Sequence, residues 1–219
     1  MSPRLRAPVF MMEARNLAHE LADGLAALRL ELPAGAQEKL LAYLDLLAKW
    51  NRTYNLTAVR DPEEMVSRHL LDSLATLPFV QGKNLADLGS GAGLPGIPLA
   101  IARPGLAVTL VESNGKKARF LREAVRSLPL SNVTVAQTRV QDMAGAFDTI
   151  TARAFASLPD MLAWGGHLLA PNGCWLALKG RADPAELGAI PDDFRVVAVH
   201  ELRVPGTGGE RGAIELVRA

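Results

Sequence analysis

The stretch Leu85-Ala86-Asp87-Leu88-Gly89-Ser90-Gly91-Ala92-Gly93-Leu94-Pro95-Gly96 carries a short apolar run into a bend built on Gly89, Gly91, Gly93 and Gly96. Glycine reaches positive φ without penalty and removes Cβ atoms where a ligand must approach the backbone. Such a bend between a strand and a helix commits the chain around it to alternating β and α units. The sequence on either side agrees. Strands are predicted at 84–88, 107–111, 133–136, 148–151 and 173–179, with helices at 96–102, 115–128 and 158–168 and a short turn near 140–143. Two further extended runs, 194–202 and 213–217, have no helix between them and are joined by Pro205-Gly206-Thr207-Gly208-Gly209. Alternation of this kind predicts an α/β, Rossmann-like fold with a mostly parallel sheet covered on both faces. The closing pair predicts seven strands with the last antiparallel, whereas a six-stranded, all-parallel sheet would favour a nicotinamide enzyme.

The first third is helical instead. Leu40, Leu41, Leu44, Leu47 and Ala48 recur at helical spacing between Gln37 and Trp50. Leu17, Leu21, Leu25 and Leu28 do the same between Met12 and Leu30, interrupted by Gly24. Asp61-Pro62-Glu63-Glu64 reads as an N-cap, a first-turn proline and early carboxylates, so a third helix starts there. An apolar turn through Leu70, Leu71, Leu74 and Leu77 stops at Pro78. Residues 1–80 are thus expected to form a helical cap on a sheet domain at 81–219.

The glycine bend reads in two registers. Gly91-Ala92-Gly93-Leu94-Pro95-Gly96 matches the dinucleotide pattern, and Asp87-Leu88-Gly89-Ser90-Gly91-Ala92-Gly93 the acid-led loop of methyl donors. Asp87, at the strand end, suits the ammonium of an amino-acid moiety and would repel a pyrophosphate. Pro95 delays the helix and weakens its amides as a phosphate cradle. Glu112, at the end of the second strand, suits ribose hydroxyls in either cofactor. The balance favours S-adenosyl-L-methionine.

Composition excludes little: the chain has 219 residues, a net charge of +1 and one cysteine, Cys174, within an apolar run. Arg4 and Arg6 precede no long apolar segment, and no uncharged stretch is long enough to span a bilayer. A cytoplasmic, monomeric protein with neither membrane nor metal partner is expected. His19, His167 and His200 are scattered and make no metal cluster with Cys174, and His69 reads as a packed histidine. Between 103 and 153, however, Arg103, Lys116, Lys117, Arg119, Arg122, Arg126, Arg139 and Arg153 face only Glu112, Glu123, Asp142 and Asp148. That excess suits a phosphate-bearing substrate or a solvated helix face. Arg139, Arg153 and Lys179 follow strand ends, on the rim where the site should lie, and are the candidate catalytic residues.

The acceptor leaves traces as well. Exocyclic base amines usually require an Asn/Asp-Pro-Pro-aromatic turn after the fourth strand, and here that turn is Thr151-Ala152-Arg153-Ala154-Phe155-Ala156-Ser157. Carbon-5 of cytosine requires a loop cysteine, and Cys174 sits in a strand pattern. A ring nitrogen such as guanine N7 remains, needing neither nucleophile nor strong base.

Leu88-Gly89-Ser90-Gly91-Ala92-Gly93-Leu94-Pro95-Gly96-Ile97-Pro98-Leu99-Ala100-Ile101 resembles the loop of the bacterial small-subunit rRNA guanine-N7 methyltransferase family (RsmG, also called GidB). Lys116-Lys117-Ala118-Arg119-Phe120-Leu121, Arg153-Ala154-Phe155-Ala156 and Leu178-Lys179-Gly180 extend the match, as do Trp50-Asn51, Asn55-Leu56-Thr57 and His69-Leu70-Leu71-Asp72-Ser73. The resemblance implies a class I methyltransferase that modifies guanine 527, in the 530 loop of 16S rRNA, as naked RNA or in the small-subunit particle. It also implies that Gly89 and Leu94 line the donor, that Val140 and Gln141 flank its adenine, and that Arg153 sits beside it. Gln141 stands where many members carry Glu, and Gly212 where the family often has His. A methyltransferase for small molecules or proteins, an NAD-dependent oxidoreductase and a non-catalytic RNA-binding module are the rival readings.

Overall fold

A computed structural model describes residues 9–154, 156–181 and 183–219, with side chains from Asn16 onward. Arg4, Arg6 and Phe155 lie outside the described residues, as does the side chain of Met12. The helical third comprises α1 (Val9–Ala27), α2 (Ala36–Tyr54) and α3 (Pro62–Met65), which runs through a π-helical turn (Val66–Leu71) into α4 (Asp72–Leu74). Asp61 caps α3, accepting the Glu63 amide at 3.0 Å, as the Asp-Pro-Glu-Glu pattern predicts. The π turn was not legible in the sequence. Such turns are uncommon and often mark functional sites, and here it carries Arg68 and His69 to the rim of a cavity. Gly24 does not break α1. A Cβ there would run into Leu71, so the glycine lets the π turn pack against the helix.

Beyond Gly82 come β1 (Asn84–Leu88), α5 (Gly96–Ala102), β2 (Ala107–Val111), α6 (Gly115–Ser127), β3 (Val133–Ala136), β4 (Phe147–Arg153), α7 (Leu158–Gly165), β5 (Leu169–Lys179), α8 (Pro184–Gly188), β6 (Phe194–Glu201) and β7 (Gly212–Arg218). They form one sheet in the order β3-β2-β1-β4-β5-β7-β6. β1 through β5 pair in parallel, and β7 inserts antiparallel between β5 and β6. The strand order reverses between β1 and β4, and open α/β sheets bind ligands in the crevice outside the carboxyl ends at that point. The glycine bend after β1 and Arg153-Ala154 after β4 meet there.

One apolar cluster runs from Leu21 and Leu40 through Leu71 to Ile97 and Leu121, so the helical segment and the sheet share a core. A second cluster, around Trp175, Met161 and Phe194, fills the opposite face. Cys174 is fully buried beside Thr149, as its apolar neighbours predict. The buried Tyr43 hydroxyl of α2 donates to the Ala92 carbonyl at 2.6 Å, tying the helical part directly to the glycine bend.

Candidate active site

The bend is held from below. Asp87 is fully buried, its Oδ2 accepting the Gly96 amide at 3.1 Å and its Oδ1 the Thr151 hydroxyl at 3.0 Å. Register explains the second bond, since Asp87 and Thr151 are partners across β1 and β4. Burial pushes the Asp87 carboxyl up to about 6, against the pull of its hydrogen bonds from Gly96, Thr151 and Ser90. The Asp87 carboxylate points under the bend and fixes the first amide of α5, with no side chain on Gly96 to keep it away.

Above it lies a cleft of about 390 Å³, lined among others by Gly89, Glu112, Arg139, Val140, Gln141 and Trp164. Gly89 and Gly91 hold φ of 64° and 58°, and a Cβ on Gly91 would meet nothing nearer than 3.8 Å, so bare backbone faces open space. Glu112 is 7% exposed; its Oε2 accepts the Gly91 amide at 3.0 Å and its Oε1 the Asn114 amide at 2.8 Å. A carboxylate has capacity for further donors beyond two amides, so Glu112 holds the bend and still offers acceptors to a diol. Gly93 and Leu94 are placed differently. Gly93 is buried against Ile97 and Leu121, and Leu94 is 4% exposed within the core, so neither side of that pair faces the cleft. Trp164 and Lys117 line the cleft without having been anticipated there. A mixed apolar and polar tryptophan environment is common at such walls, but spacing alone gave no sign of it.

A second cavity, of about 580 Å³, opens beside the first, and Ala154 lines both. Ala154 stands at φ 49°, an uncommon left-handed conformation for a residue with a side chain. Arg153 and Lys179 reach this second cavity from the ends of β4 and β5, and Arg211 from just before β7. Arg139 does not join them. It follows β3 on the rim of the first cleft, so the three candidate catalytic cations are split between two compartments.

Each cation in the second cavity has a carboxylate partner that sequence reasoning missed. Arg153 Nη1 lies 3.0 Å from Asp72 Oδ2, Arg211 Nε lies 3.2 Å from Asp72 Oδ1, and Lys179 Nζ lies 2.6 Å from Glu186. Asp72 is 8% exposed, an acid within the apolar run Leu70-Leu71-Asp72-Ser73, and that mismatch was its available signal. His69 is 4% exposed and bonds Thr57 Oγ1 at 2.9 Å through Nε2, as a packed histidine should. Burial, and then the charge of Arg153, hold its pKa down to about 4.

An imidazole that stays neutral in the fold but protonates when unfolded contributes stability that is present above its unfolded pKa and lost as pH falls through that value toward the folded one. Between pH 7 and pH 5 the wild type should therefore lose about 2 kcal/mol from this group alone. His69→Gln should lack that loss, so urea unfolding of the two proteins at both pH values should show their stability gap shrinking on acidification.

No group of three or more His, Cys, Asp or Glu side chains fit to hold a metal occurs among the described residues, and none of their helices is long and apolar enough to cross a membrane.

The inserted antiparallel β7, the glycine bend with its carboxylate-held amides, and an acid at the tip of β2 define a class I S-adenosylmethionine-dependent methyltransferase. Comparison with known folds agrees. A glycopeptide N-methyltransferase solved with S-adenosyl-L-methionine superposes with TM-score 0.57 at 14% identity, covering 69% of this chain and 95% of that one. A mitomycin 7-O-methyltransferase gives TM-score 0.57 at 18% identity, over 89% of this chain and 75% of the other. At such identities the likeness is one of fold. Sequence relatives narrow it further. Residues 36–214 match the model of the GidB family, rRNA small subunit methyltransferase G, and the chain belongs to that family. Proteins named ribosomal RNA small subunit methyltransferase G are 58% identical in Xanthomonas campestris pv. campestris (strain 8004) and 57% in Stenotrophomonas maltophilia (strain K279a). Each alignment covers 90% of this chain and 92% of the relative.

Proposed function

We propose that this protein methylates N7 of guanine 527 in the 530 loop of 16S rRNA, in the cytoplasm and as a monomer, with S-adenosyl-L-methionine as donor. The observation that carries the reading is the pair of compartments meeting at Ala154, one suited to an adenosine and the other lined by ion-paired cations. The donor supplies an electrophilic methyl on a sulfonium. Gly89 and Gly91 offer bare backbone for its close approach, Glu112 offers acceptors for ribose hydroxyls, and Val140 and Gln141 flank the space for its adenine.

The acceptor nitrogen has its own lone pair, so the chain needs no general base and its work is orientation. What it must avoid is opposing the positive charge that grows on the base. Pairing Arg153 and Arg211 with Asp72, and Lys179 with Glu186, meets that need: the cations remain as hydrogen-bond donors for phosphate or the guanine O6, while their fields are largely offset. This charge balance supports a neutral base that becomes cationic as the methyl group arrives.

Two measurements test the reading. S-adenosylhomocysteine should raise the melting temperature of the protein and NADH should not; the reverse result would restore the dinucleotide register. In a strain lacking the gene, mass mapping of 16S rRNA should show the loss of N7-methylguanosine from the 530 loop, and an unchanged content there would end the RNA assignment.

A further inference from the structure

The first four cations of α6 differ from those of the acceptor cavity in one respect. Arg153, Arg211 and Lys179 are each neutralised by a carboxylate. Among the described residues, no carboxylate comes within ion-pair distance of Lys116, Lys117, Arg119 or Arg122. The acid of the same helix, Glu123, is taken by Arg126 and Ser127 further along. Arg122 instead donates to the neutral amide oxygen of Gln137, at 2.8 Å, just past the end of β3.

These side chains are not scattered over a convex surface. Lys116, Arg119 and Arg122, spaced three apart on one helical face, line a shallow hollow of about 550 Å³ with Asn114 and Gln137. The next residue of the same helix, Lys117, lines the donor cleft. The hollow thus lies beside the donor cleft at the start of α6, by the β3 end of the sheet, whereas the acceptor cavity is reached from β4 and β5. A solvated helix face intersperses both signs of charge, whereas a run of unpaired cations beside a catalytic cleft attracts a polyanion.

We propose that the hollow formed by Lys116, Arg119, Arg122 and Gln137 is a docking surface for the phosphate backbone of the rRNA, outside the nucleotide that is methylated. The inference rests on the RNA reading above. It assigns α6 a role in affinity and salt dependence without a role in the chemical step. Phosphate contacts of this kind position a nucleic acid without reading its sequence.

The test is the triple variant Lys116→Ala/Arg119→Ala/Arg122→Ala, leaving Lys117 in place, assayed for methylation of small-subunit particles lacking the modification. Its affinity for S-adenosylhomocysteine should equal that of the wild type, which also shows that the fold is intact. The KM for particles should rise about tenfold with kcat unchanged, and the slope of log affinity against log salt should fall by about 2 for three lost contacts. Arg119→Glu alone should raise KM through repulsion. If the wild type methylates the particles but the triple variant keeps its KM and salt slope, the surface does not dock RNA. If KM rises with an unchanged slope, the contact is with ribosomal protein and the proposal likewise falls. If the wild type itself transfers no methyl group to them, the function reading fails first.

Discussion

Arg153→Ala is expected to lower methyl transfer by about two orders of magnitude or more, the scale of losing charge-assisted hydrogen bonds worth about 3 kcal/mol at a partly desolvated site. Arg153 ends β4 at the strand-order reversal, directly before Ala154, the residue common to both cavities. Its Nη1 donates to Asp72 at 3.0 Å and to the Arg68 carbonyl at 3.3 Å, so the π turn fixes it from the helical side. Removing it takes a donor from the seam between compartments and leaves Asp72 with Arg211 alone. That tilts the acceptor cavity toward negative charge and frees Arg68 to move. Donor affinity, followed by calorimetry with S-adenosylhomocysteine, should weaken together with single-turnover methylation. Arg153→Lys keeps the charge without the planar fork and should recover only part of the rate. A variant that retains full donor affinity and full rate would remove Arg153 from the site.

The contrast between what the sequence disclosed and what it withheld lies in contact range. The bend, its strand and the acid at 112 are local patterns, and Gly89 and Glu112 line one cleft, together with Val140 and Gln141, which only the family resemblance had singled out. Strand ends were readable too, because alternation of apolar runs with helices fixes which end of each strand faces the site. The partners were not. Asp72 meets Arg153 and Arg211 from a different part of the fold, and no local pattern announces a pairing that distant. The partners of Asp87 were hidden for a related reason: its side chain meets Thr151 on β4 and the first amide of α5, both set by the fold and not by the local pattern. The π turn combines both difficulties: its residues have ordinary helical propensity, and its contacts are distant in sequence, with Leu71 packed over Gly24 and His69 Nε2 hydrogen-bonded to Thr57 Oγ1.

Within the bend, the two inner glycines should respond unequally to substitution. Gly93 holds φ of 88°, and a Cβ there would sit 2.8 Å from Ile97 Cγ1 and 3.1 Å from Leu121 Cδ2. Gly93→Val therefore adds left-handed backbone strain, of order 1–3 kcal/mol, to overpacking of a fully buried site, of similar size. A loss of about 4 kcal/mol in urea unfolding is expected, enough to consume much of the stability of an ordinary domain. Gly91 also holds a left-handed backbone, at φ 58°, but has open space where Gly93 has Ile97. Gly91→Ala should accordingly cost only about 1 kcal/mol, the penalty of the left-handed region alone. Its defect should appear instead in donor binding, because the Gly91 amide is the one that Glu112 holds at the edge of the cleft. Equal destabilisation by the two substitutions would mean that backbone conformation alone decides both, and that the packing of Ile97 and Leu121 beneath the bend contributes nothing.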